Sequence, residues 1–107
     1  MEKTTKAKTF IGFAIRTGKF TIGLNAIETL KRSNLIICCN TISENSLKKA
    51  KKLANKFNCP LIQTVSEKLE DITFKENAKA MAVYDVKLAK AILENLDQDF
   101  NRLILEK

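Results

Sequence analysis

Histidine and tryptophan are absent from this 107-residue chain, proline occurs once and glycine three times. Without histidine, the chain lacks the side chain that most often serves as a general base near neutral pH and as a metal ligand. Gly12, Gly18 and Gly23 are too scattered to build a phosphate-cradling loop. The cysteines Cys38, Cys39 and Cys59 are odd in number, and two of them are adjacent in an apolar run. They read as buried free thiols, not as a bridge or a zinc site, and so suit a reducing cytoplasm. No stretch is long and apolar enough to span a bilayer, so no membrane partner is expected. The opening segment MEKTTKAKTFIGFAIRTGK is basic, but it has neither the hydrophobic core nor the small-residue cleavage site of a signal peptide.

Little remains for catalysis. Cys38 and Cys39 have no histidine to activate them. The carboxylates of Glu67, Glu70, Asp71 and Glu76 form a loose acidic surface with no defined pair. We therefore expect no catalytic residues, no metal ligands and no cofactor. What the chain does have is charge: 19 basic against 12 acidic residues, a formal net charge of +7. On a domain of this size such an excess favours a polyanionic partner. The cations gather at Lys3, Lys6 and Lys8, at Arg16, Lys19, Lys31 and Arg32, and between Lys48 and Lys56.

The 45% hydrophobic content is enough for a modest core, and residues 1–107 read as a single domain. Residues 5–17 have helical periodicity through Phe10, Phe13 and Ala14, and Gly18 is placed to end the helix. Phe20-Thr21-Ile22 is a short extended piece. In NAIETLKR, residues 25–32, Ile27 and Leu30 continue a helical stripe from Leu24, and Lys31 and Arg32 occupy the expected last turn. Asn25 stands at its start, where it serves either as a cap or as a contact to a base edge, beside N–H groups suited to phosphate.

The apolar run Leu35–Cys39 reads as a central strand covered on both faces. Thr41 and Ser43 are rival caps for a helix over residues 44–57. Leu61–Val65 and Ala80–Tyr84 are further strands. Ser66 is placed to cap a short helix, and Asp85 to cap the last one. Phe100, Leu103 and Ile104 have the spacing of one further helical turn. Alternation of this kind predicts an α/β domain, a three-layer alpha-beta-alpha sandwich with helices on both faces of the sheet.

The segments IGFAIRTGKFTIG, LIICCNTISENSLKKA, CPLIQTVS and AMAVYDVKLAKAI, taken in order, resemble the L7Ae/L30e ribosomal protein family, in particular its small bacterial branch. The resemblance runs from about Phe10 to Leu96. It implies an L30e-like sandwich that binds kink-turn or similarly bent RNA, through the start of the second helix and a loop after the third main strand. Gly23 and Asn25 match the helix-start motif, while Ala26 and Thr29 replace its glutamate and lysine. In the loop Ser66 matches. Glu67 stands where a basic residue is usual, and Glu70 and Asp71 stand where Leu-Gly is usual.

The expectation is a noncatalytic, cytoplasmic RNA-binding protein. Its partners would be ribosomal or other structured RNA, and ribosomal proteins. Gly23 would let the backbone approach RNA, Asn25 would touch a base edge, Lys19, Lys31 and Arg32 would screen phosphates, and Ser66 would contribute from the loop. The alternative is a protein-interaction module that has kept the core and lost the RNA site.

Overall fold

The computed structural model describes residues 6–104. Lys3 and Thr5 lie outside the described residues, as do the last three positions of the chain. Among the described residues ten elements alternate: α1 (Lys6–Thr17), β1 (Phe20–Ile22), α2 (Leu24–Glu28), β2 (Leu35–Cys38), α3 (Glu44–Phe57), β3 (Leu61–Thr64), α4 (Leu69–Thr73), β4 (Ala80–Val83), α5 (Val86–Glu94) and β5 (Phe100–Ile104).

The strands form one sheet in the order β1-β4-β2-β3-β5. Only β2 and β3 run parallel; the other neighbours are antiparallel. Every residue of β2 and β4 is buried, as their unbroken apolar sequences require. Alternate side chains enter two cores. Leu35, Ile37, Ile62, Met81 and Val83 meet Ala7, Ile11 and Ala14 of α1, Leu69 of α4, and Ala89 and Ile92 of α5. Ile36, Cys38, Leu61, Ala80 and Ala82 meet Ile27 of α2 and Ala50, Leu53 and Ala54 of α3.

Helix ends explain much of the layout. Gly18 has φ 72°, its N–H bonds to Ile15 O, and the N–H of Lys19 bonds to Ala14 O. Those two bonds satisfy the last carbonyls of α1 in a left-handed C-terminal motif. Asn58, with φ 56°, ends α3 the same way, through bonds to Asn55 O and from Cys59 N–H to Ala54 O. The stop therefore falls two residues before Pro60. Of the rival caps, Ser43 is the one used: its hydroxyl accepts from Ser46 N–H. Asp85 caps α5 by accepting from Leu88 N–H at 3.0 Å.

Four expectations need correction. The buried stripe of α1 is Ala7, Ile11 and Ala14, and Phe13 lies on the exposed side. α2 ends at Glu28, so Lys31 and Arg32 are not in its last turn. Thr29 causes the early stop: its hydroxyl and its N–H both bond to Ala26 O, and Leu30 N–H bonds to Ile27 O, which tightens the chain out of α geometry. Ser66 does not cap α4, whose N-cap is Lys68. Finally, residues 100–104 form a strand on the edge of β3. Ile62 faces Arg102 while Leu61 faces Ile104, so the strand carries a bulge at Leu103. The inserted residue gives Phe100, Leu103 and Ile104 the spacing of a helix inside a strand.

Candidate nucleic-acid interface

Strand directions divide the sequence-predicted site into two groups. Ile22 pairs with Met81, and Cys38 pairs with both Ala80 and Gln63. The end of β1, the start of β4 and the carboxyl ends of β2 and β3 therefore share one rim of the sheet. Gly23, Asn25 and Ser66 follow those strand ends. Phe20 pairs with Val83, and Val83 with Leu35, at the opposite rim. Lys19 and the Lys31-Arg32 pair lie toward that second rim. The structure thus brings Gly23 and Asn25 together and leaves Lys19, Lys31 and Arg32 elsewhere.

At the first rim Gly23 adopts φ 100°, where a side chain would be strained, and its N–H bonds to Ala80 O at 3.0 Å. A Cβ there would meet nothing within 4 Å, so the backbone presents an open surface. Asn25 is exposed and caps nothing. Its Oδ1 accepts from Lys49 Nζ at 3.0 Å, and the same ammonium pairs with Glu28 at 3.2 Å. With only five residues, α2 contributes a small dipole, so cations on neighbouring elements dominate the local charge.

Lys79, next to the Ala80 that holds Gly23, donates to Thr41 Oγ1 at 2.8 Å. Asn40 follows the end of β2; its N–H bonds to Thr64 Oγ1 and its Nδ2 to Val65 O, both at 2.9 Å. Asn25 with Lys49, Lys79 with Thr41, and Asn40 with the end of β3 are thus three separate polar contacts spaced along this rim. Ser66, just after β3, is exposed, but the protein's own charges already engage it. Its hydroxyl donates to Asp99 Oδ1 at 2.9 Å, while Lys8 pairs with Asp99 and with Glu67. Glu70 accepts from Asn77 N–H at 3.3 Å. Two members of the loop's acidic set are therefore already engaged.

At the end of β2, beneath these contacts, Cys38 and Cys39 are fully buried, while Cys59 is buried toward the opposite rim, its thiol near Ser33. Burial pushes the Cys38 thiol up to about 12, helped by the neighbouring Cys39. Burial works the same way on Cys39, but it is outweighed there. Hydrogen bonds from Thr41 and from Leu69 N–H, with the charge of Lys79, hold that thiol below its ordinary value. Among the described residues no three His, Cys, Asp or Glu side chains converge to hold a metal ion, and no helix is long and apolar enough to cross a membrane.

Sequence reasoning missed Lys49, Lys79, Asn40 and Thr41 as polar residues of the rim that carries Gly23 and Asn25. Lys49 had a signal, since it belongs to the lysine cluster of α3; its neighbours Lys48, Lys51 and Lys52 are simply exposed. Lys79 had none, because only the β1–β4 pairing brings it beside Gly23.

No family model and no curated protein matches the chain. Among solved structures, a protein of unknown function from Bacillus halodurans C is similar, with a TM-score of 0.72 at 16% identity, over 85% of this chain and 96% of that one. At that identity the likeness shows the fold alone: a mixed α/β single domain with interleaved helices and strands.

Proposed function

We propose that the protein is a noncatalytic RNA-binding protein with an L30e-like three-layer architecture, and that it binds ribosomal or other structured RNA of bent, kink-turn type. The observation that carries this reading is the exposed Asn25 amide, held by the Lys49 ammonium beside the open backbone of Gly23. An amide gives directional bonds to a base edge, and lysines neutralise phosphates without reading sequence. Lys49 and Lys79 supply the local charge, and the net +7 supplies the long-range attraction. Ala26 and Thr29 leave this chain without the glutamate and lysine of its resembled family, so Lys49, reaching in from α3, takes the cationic role.

The test is equilibrium binding to a kink-turn RNA and to a straight duplex of equal length across a salt series. The expected result is at least tenfold preference for the bent RNA, about 1.4 kcal/mol. Lys79→Ala should weaken binding to both and lower the salt slope by about one phosphate's worth. Lys31→Ala/Arg32→Ala should leave the preference intact, because those residues lie at the other rim. Equal affinity for the two RNAs would refute bent-RNA recognition. Absence of binding to either would favour a protein-interaction module.

A further inference from the structure

The most anomalous side chain lies on the opposite face of the sheet from Asn25. Phe74 is 88% exposed and caps α4 with φ 60°, its N–H bonded to Glu70 O. Glycine or asparagine is the usual occupant of such a position. Neither burial nor backbone geometry therefore accounts for a phenyl ring here. Together with Gly12, Ile15, Arg16 and Ile72, Phe74 lines an open depression of about 180 Å³ between α1 and α4. That is too small for an enclosed metabolite site.

The surroundings combine aromatic rings with cations. The Arg16 guanidinium sits 5.3 Å from the centre of the Phe13 ring, and Phe13 is itself 39% exposed. Lys75 Nζ lies 5.9 Å from the centre of the Phe20 ring. Lys19, next to Phe20, is exposed. Asp71 and Glu76 are the exposed carboxylates on the α4 segment, and Glu70 is turned to Asn77 N–H. Arg16, Lys19 and Lys75 outnumber them.

We propose that this face is a stacking surface for unpaired nucleotides of a single-stranded nucleic acid. Phe74 and Phe13 would offer ring faces to successive bases, and Arg16, Lys19 and Lys75 would meet the phosphates. Aromatic rings accept any base, and the cations complement the phosphate chain, so the contact is tolerant of sequence and sensitive to salt. It goes beyond the proposed bent-RNA site, since α1 and α4 cover one sheet face while α2 and α3 cover the other.

The experiment is fluorescence anisotropy with the full chain and a labelled oligouridine about 12 nucleotides long, beside thermal unfolding of each variant. Wild type should bind, Phe74→Asn should bind roughly tenfold more weakly, and Phe74→Trp should restore binding. Phe74→Asn should unfold no earlier than wild type, which separates lost stacking from lost folding. Unchanged binding by a folded Phe74→Asn overturns the proposal. So does a concentration-dependent dimer that Phe74→Asn abolishes with no oligouridine binding, because the occupant is then a second copy. Wild type that prefers kink-turn RNA yet ignores oligouridine overturns this surface alone. Wild type that binds oligouridine without preferring bent RNA overturns the first site alone.

Discussion

Asp99→Asn is expected to loosen the attachment of β5 in a pH-dependent way. Asp99 precedes β5 and ties it to α1 and to the end of β3 by three contacts: Ser66 donates to its Oδ1 at 2.9 Å, Lys8 of α1 lies 3.1 Å from its Oδ2, and Val65 N–H bonds to its carbonyl. The Lys8 and Asp99 side chains are 15% and 23% exposed, between the surface and buried limits for an ion pair. Exposed pairs contribute about 0–1 kcal/mol, and hydrogen bonds to charged groups about 1.5–3 kcal/mol. After discounting for solvent screening, we expect a loss of about 1 kcal/mol at pH 7.

The hydrogen bond from Ser66 and then the one from Lys8 lower the Asp99 carboxyl below 3.8. Its contribution is complete above the unfolded carboxylate range and is lost as pH falls through the lower folded value. For Lys8, burial opposes the charge, but bonds to Glu67 and Asp99 prevail and raise it above 10.5. That contribution is complete below 10.5 and is lost as pH rises through the folded value. The penalty of Asp99→Asn should therefore be flat from about pH 5 to about pH 9 and fade in acid. Urea unfolding of wild type and variant across pH measures it. A penalty that stays the same in acid would refute the electrostatic account, as would a penalty near zero at pH 7.

Further outcomes follow from the caps and the thiols. Ser43→Ala should cost about 1 kcal/mol by urea midpoint, because it removes the acceptor for Ser46 N–H. Thr41→Ala should cost less, because Thr41 Oγ1 meets the exposed Lys79 and the weakly bonding Cys39 thiol but no helix N–H; a larger loss for Thr41→Ala would mean the cap was misassigned. With its thiol pushed up to about 12 and no exposure, Cys38 should resist thiol reagents at mildly alkaline pH until urea unfolds the chain, as followed by mass spectrometry. Rapid native labelling would contradict its burial.

Where one physical signal dominated, the sequence was legible. The unbroken apolar run at Leu35 fits a covered strand, and Asp85 stands directly before an amphipathic run that it caps. Reading failed where one residue reset the geometry. Thr29 ended α2 early and removed Lys31 and Arg32 from the expected site. The bulge at Leu103 gave a strand the spacing of a helix. Ser66 matched a family position, but Asp99, far along the chain, claims its hydroxyl. Gly23 and Asn25 could be singled out from the sequence because they open a helix directly after a short strand. Lys79 could not, because its place beside them depends on a long-range pairing.

The most direct measurement of the central claim is the change in backbone amide chemical shifts when kink-turn RNA is added to the isotope-labelled protein. The account predicts large shifts at Gly23, Asn25, Thr41, Lys49 and Lys79, with little change at Lys31 and Arg32. Shifts concentrated at Lys31 and Arg32, with the Gly23–Asn25 rim silent, would contradict it.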